Sequence, residues 1–154
     1  MTKQEIEQHL EGTRAELEGL MASLGDDDLA KTSRAEAWTV KDLLAHLASA
    51  ESGIQAVIQR IRKGDIQLRE GFDLNIWNQR QVEKRRSSTV ADFQSELHTS
   101  REGTWRLLAE VPEAEFPLRG IHSSGEEMSV EELFRRIGDH EREHGAMVRE
   151  ALGR

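Results

Sequence analysis

The sequence predicts an all-α fold, a four-helix bundle forming a single domain over residues 1–154. Three observations support this. Four stretches open with Ser or Thr followed three residues later by Asp or Glu. Each then carries apolar residues at alternating three- and four-residue spacing, the stripe of a helix buried on one face. With 32% charged residues, 5% aromatic residues and two prolines, the composition suits helices better than sheet.

The first helix is expected over 2–24, opening at Thr2 with Glu5 and turning Ile6, Leu10, Leu17 and Leu20 inward. The second opens at Thr39 with Asp42 and runs over 39–63, with Leu43, Leu47, Ala50, Ile54, Val57 and Ile61 on its seam. The third opens at Thr89 with Asp92 and spans 89–111; the fourth opens at Ser129 with Glu132 and spans 129–152. In each, the hydroxyl accepts from a free backbone N–H while the carboxylate reaches back to the cap. Apolar pairs across three of these starts, Met1 with Ile6, Trp38 with Leu43 and Met128 with Leu133, complete a staple. The longest connection runs from Gly64 to Ser88 and contains "FDLNIWNQRQVEKRR", read as a short extra helix. A connection of that length permits a crossover, so up-down-up-down order is not required. No strand, repeat or low-complexity segment is expected.

Composition and charge narrow the function. The absence of cysteine removes disulfides, thiolate-bound zinc, Fe–S clusters and a thiol nucleophile. A charged N-terminus without an apolar h-region and the lack of any apolar run near 20 residues imply no signal peptide and no membrane partner, hence a cytoplasmic protein. A net charge of −8 argues against nucleic acid as partner. The basic run "RQVEKRRSS" reads as a solvated helix end.

The chemistry points to the histidines. His140 and His144 occupy consecutive seam positions of the fourth helix, on one face and about 6 Å apart along its axis. Two buried imidazoles need partners. A shared metal satisfies both; hydrogen bonding in the core is the alternative. His46, about two turns into the second helix, is the best third ligand. Three imidazoles from two facing helices leave coordination positions open for water or substrate. Thr13, Ser100 and Thr104 on the seams suggest a wet mid-bundle pocket, or hydroxyls packed against their own helices. His9, His98 and His122 read as solvated.

His140, Glu141 and His144 also spell H-E-x-x-H, the mark of zinc proteases. Only ten residues follow His144, no edge strand is expected to align a peptide, and Glu150 points elsewhere on the helix. A protease is therefore not expected. Glu141 is the candidate catalytic residue, as general base or as acceptor behind a ligand, and otherwise a solvated flank carboxylate.

"AWTVKDLLAHLASAE" together with "GDHEREHGAMVREAL" resembles the DinB/YfiT-like family of metalloenzymes, and the match runs from the first helix to Leu152. The resemblance implies a four-helix bundle holding a divalent metal on His46, His140 and His144, a pocket above the metal, and frequent homodimers. It also implies relatives that are S-transferases and isomerases using small thiols such as bacillithiol or mycothiol. Many members carry a second His before the last ligand, where this chain has Glu143.

The expected function is a metal-dependent enzyme acting on a small-molecule substrate, as hydrolase or thiol-dependent S-transferase or isomerase, with Zn, Ni, Co, Fe or Cu on imidazole. Without cysteine, sulfur chemistry requires a low-molecular-weight thiol cosubstrate. Arg80, Arg85 and Arg86 are candidates to meet its carboxylate, and Trp77 and Asn78 to line the pocket mouth. The alternative is a non-catalytic ligand-binding or interaction bundle.

Overall fold

The computed structural model describes residues 1–32 and 38–154. Ser33–Ala37, which end the first connection and begin the "AWTVKD" motif, lie outside the described residues. Among the described residues five α-helices form: α1 (Lys3–Ala22), α2 (Val40–Arg62), α3 (Leu74–Lys84), α4 (Val90–Glu110) and α5 (Val130–Leu152). The expected capping boxes close at Thr39, Thr89 and Ser129, each hydroxyl accepting from the N3 amide while the N3 carboxylate accepts from the cap N–H. At Thr2 only half the box forms, because Glu5 takes the hydroxyl rather than the cap amide. α3 is the short helix expected in the long connection.

The directions of the helices follow from their cross-contacts. The Met1 amino group meets Glu131 at one end of α1, and Arg154 donates to Ser23 at the other, so α1 and α5 run parallel. Ser100 bonds the Ala48 carbonyl, Gln55 bonds Thr104, and Arg62 faces Glu110, so α2 and α4 also run parallel. Lys3 reaches the Ala109 carbonyl and Arg14 that of Leu97, which makes α1 and α4 antiparallel. α1 packs beside α4 and α5, and α2 beside the same two, so the consecutive helices α1 and α2 sit diagonally. The parallel pair α2/α4 explains the long connection. A 23-residue α2 is about 34 Å long, and the chain must return that distance before α4 can start.

One expectation is corrected here. Two strands, β1 (Arg119–Ile121) and β2 (Glu127–Ser129), pair antiparallel with Gly120 opposite Met128. Three residues per strand are too few for an alternating pattern to show in sequence. Gly120 is required by packing: a Cβ there would lie 2.5 Å from Ile61 Cγ1.

The core divides into two apolar clusters. One gathers Leu10, Ile58, Leu108, Phe134 and Ile137 toward the β-hairpin end. The other gathers Leu17, Leu43, Leu44, Phe93 and Val148 at the opposite end. Between them lies a buried ionic layer with one residue from each long helix: Arg14, Glu51, Arg101 and Glu141, all no more than 7% exposed. Arg14 and Arg101 both reach Glu141 Oε1, at 2.6 and 2.9 Å, and both reach Glu51, at 3.0 and 2.8 Å. Thr104 donates to Glu51 at 2.6 Å and Thr13 to Glu141 at 2.9 Å. Burial works against the Arg101 charge, but Glu51 and Glu141 outweigh it and raise its pKa above the ordinary value. Thr13 and Thr104 therefore serve this layer rather than a wet pocket, and Ser100 bonds backbone.

Candidate metal centre

The antiparallel contact of α2 with α5 brings three imidazoles together. His46 lies in the second turn of α2, and His140 and His144 stand one turn apart on α5. His46 Nε2 and His140 Nε2 are 2.8 Å apart. The ring centroids are separated by 4.6, 4.8 and 4.2 Å, and one nitrogen from each ring falls in a group no more than 4.8 Å across. His46 of α2 thus stands beside both histidines of α5.

The surroundings prepare His46 and His140 as neutral donors. His144 Nδ1 stands 3.1 Å from the His140 carbonyl; as the donor there it leaves the lone pair on Nε2. The edge of Trp38 packs against His46 with centroids 5.3 Å apart. Burial first, then the charges of His144 and Arg136, push the His46 pKa down to about 4. Burial, then His144, His46 and Arg136, push His140 down to about 2. A 2.8 Å approach of two ring nitrogens demands a shared proton or a common electrophile. The donor set thus fits a divalent ion: three buried imidazoles from two rigid helices.

The rings open onto a cavity of about 690 Å³ between α2 and α5. Its roof is the long connection with α3, where Phe72, Asn75, Trp77 and Asn78 line it, and the turn of the β-hairpin closes one side with His122 and Ser124. Trp77 and Asn78 stand where the sequence placed them, and Trp77 remains 43% exposed.

Glu141 is corrected. It is neither a solvated flank residue nor a group facing the cavity. Both of its carboxylate oxygens are taken by Thr13, Arg14 and Arg101 in the ionic layer, and it does not line the cavity. The helix explains this: position 141 lies about 100° around the axis from 140, which turns it into the bundle interior. Arg85 is likewise engaged elsewhere, bonded to Glu96 at 2.8 Å and to Gln81. The cavity's guanidinium groups are instead Arg60, Arg69 and Arg136, which the sequence did not single out. His98 is exposed as expected, while His9 packs partly buried beside Asp139 at 3.0 Å. His122 faces the cavity, its pKa lowered by burial and by Arg136.

A helical bundle with an inter-helix histidine cluster under a roofed cavity is a class of fold that can hold a metal between facing helices. The DinB superfamily model matches residues 9–148, and the chain belongs to that family. Among solved structures, the fold is similar to YfiT from Bacillus subtilis, described as a probable metal-dependent hydrolase with an unusual four-helix bundle topology. That match has 21% identity and a TM-score of 0.75, and covers 97% of this chain and 85% of YfiT. It is similar to a mycothiol-dependent maleylpyruvate isomerase at 10% identity and TM-score 0.80, covering 96% of this chain and 61% of the isomerase. The colibactin self-resistance protein ClbS, solved with a dsDNA, matches at 12% identity and TM-score 0.77, covering 99% of this chain and 96% of ClbS. At these identities the likeness shows the fold. No curated protein matches the sequence.

Proposed function

We propose that the chain is a metal-dependent enzyme acting on a small molecule, with His46, His140 and His144 holding a divalent ion. The observation that carries this reading is the convergence of three ring nitrogens, within 4.8 Å of one another, at the base of a cavity of about 690 Å³. The probable metal-dependent hydrolase and the mycothiol-dependent isomerase of the same fold support it. Three imidazoles suit Zn, Ni, Co, Fe or Cu. Such an ion supplies Lewis acidity and lowers the pKa of a bound water or thiol.

The chain's own residues supply the rest. Burial keeps His46 and His140 unprotonated at neutral pH, so no proton competes for their lone pairs. Trp38 and the His140 carbonyl hold the first and last ring in orientation. The roof on α3 limits bulk water at the site. Among the described residues, His122 rather than Glu141 is the further imidazole facing the cavity, and it is placed to accept or return a proton. The reaction is hydrolysis, or transfer or isomerisation with a low-molecular-weight thiol as cosubstrate, since the chain has no cysteine. A net charge of −8 favours a small molecule over nucleic acid. No helix among the described residues is long and apolar enough to cross a membrane. A cytoplasmic homodimer belongs to this proposal; Ile76 and Trp77, 52% and 43% exposed on α3, offer a second copy apolar surface.

The test is elemental analysis of untagged protein with the His46→Ala and His144→Ala variants. Near-stoichiometric metal in the parent, lost in both variants, is the expected result. Absence of metal after reconstitution with each candidate ion overturns the reading and leaves a ligand-binding bundle.

A further inference from the structure

The cavity beside the three histidines has a charge opposite to that of the protein. The chain carries 29 acidic residues and a net charge of −8. Yet among the described residues that line this cavity there is no Asp or Glu, while Arg60, Arg69 and Arg136 are all present. Elsewhere arginines find carboxylates: Arg62 with Glu115 at 2.6 Å, Arg85 with Glu96 at 2.8 Å, Arg142 with Glu16 at 2.9 Å. Arg60 and Arg69 have no carboxylate partner among the described residues. Arg136 is paired with Glu143 at 3.7 Å. Arg60 and Arg69 thus bring to the cavity two guanidinium charges that no carboxylate among the described residues balances. Guanidinium is weakly hydrated and suits an oxyanion supplied from outside the chain.

The cavity also has a direction. On α2 its lining residues His46, Ala50, Gly53, Val57 and Arg60 follow spacings of four and three, one face of the helix. From His46 to Arg60 this face extends about 21 Å along the axis. Its middle is small: a Cβ added at Gly53 meets nothing within 4 Å. On α5, Arg136 stands one turn from His140, about 6 Å along the axis. Leu68 and Phe72 cover the small stretch from above. The trough is thus donor-rich at the histidines, with Arg136 beside them, apolar at its centre, and cationic at its far end at Arg60.

We infer that Arg60 and Arg69 form an anion subsite, and that the substrate is a small organic acid. Its carboxylate or phosphate binds the guanidinium groups, its apolar body lies over Ala50 and Gly53, and its reacting end faces the histidines. The second half of this statement rests on the proposed metal enzyme; the subsite does not. Guanidinium binds either oxyanion in a forked geometry, so carboxylate and phosphate share the chemistry.

Calorimetric titration of the full chain with hexanoate, hexyl phosphate, hexylamine and hexanol tests the subsite, on chelator-treated and on zinc-treated protein. At least one of the two anions is expected to bind about 10-fold or more tighter than the amine and the alcohol. The tighter anion assigns the headgroup. Arg60→Met and Arg69→Met, each checked for folding by circular dichroism, are expected to weaken it about 10-fold or more. Arg106→Met, on an exposed position of α4, is expected to leave it unchanged. Equal binding of all four probes, or parental affinity in both cavity variants, overturns the inference. So does anion binding that appears only with zinc and ignores the arginines, since the anion then sits on the metal. Anion binding that survives chelation in a protein that never takes up metal keeps the subsite and rejects the metal enzyme.

Discussion

Replacing Glu141 by Gln separates a structural from a catalytic role for the H-E-x-x-H glutamate. The substitution is nearly isosteric, so its cost is electrostatic. In the parent, two guanidinium groups and two carboxylates cancel within a layer no more than 7% exposed. Removing the charge of Glu141 leaves Arg14 and Arg101 sharing Glu51 alone, with one uncompensated positive charge between the two apolar clusters. Breaking a buried pair in this way costs about 3–5 kcal/mol. For a domain of this size each kcal/mol lowers Tm by about 2–4 °C, so the fall is about 6–20 °C. Thermal unfolding by circular dichroism measures it, with elemental analysis on the folded variant. The expected result is a large drop in Tm with metal stoichiometry unchanged. Adding Arg101→Met to Glu141→Gln restores the charge balance and is expected to recover part of the loss. A Tm within about 2 °C of the parent, accompanied by loss of turnover, would refute the structural role and return Glu141 to the chemistry.

Three further outcomes follow from the geometry. The His46 pKa of about 4 lies below the unfolded value of 6.5, so the unfolded chain takes up a proton first as pH falls. The stability is complete above about pH 6.5 and declines toward the folded value, by about 2 kcal/mol between pH 7 and 5 for this residue alone. Urea midpoints of metal-free protein at the two pH values check it, and a midpoint that does not move contradicts the buried neutral ring. Gly53→Leu fills the trough where a Cβ meets nothing. Tm is expected to hold or rise, since leaving glycine in a helix interior gains about 0.5–1 kcal/mol, while hexanoate and hexyl phosphate binding is lost; retained binding places the ligand elsewhere. Gly120→Ala forces a Cβ to within 2.5 Å of Ile61 Cγ1 and is expected to cost about 1–3 kcal/mol in denaturant unfolding; parental stability would show that the hairpin floats free of α2.

Most of the helical frame was legible because its signals are local. A cap hydroxyl, a carboxylate three residues on and an apolar stripe lie within one or two turns, and Thr39, Thr89 and Ser129 behave as those signals require. The histidines were legible for the same reason, two of them by spacing on one helix. The buried ionic layer was missed because a chain with 21 basic and 29 acidic residues does not mark which four go inside. A trace was nonetheless present. The stripes weaken at Thr13, Ala50, Ser100 and His140, and in each helix the very next residue is the buried charge: Arg14, Glu51, Arg101 and Glu141. Reading those four interruptions as one level of the bundle would have found it. The guanidinium groups of the cavity had no such trace, because Arg60, Arg69 and Arg136 come to line one cavity only through the crossover and the antiparallel α2/α5 contact.

The parallel course of α2 and α4 obliges the chain to climb back along the bundle, and the climbing segment is the one that covers the histidines. Anchoring and covering are therefore assigned to separate stretches of polypeptide. Residues 64–88 can vary where they face the cavity, while Val82 and Arg85 keep the segment moored to the bundle. A single scaffold can in this way admit different ligands by changing its canopy while the three imidazoles keep their places.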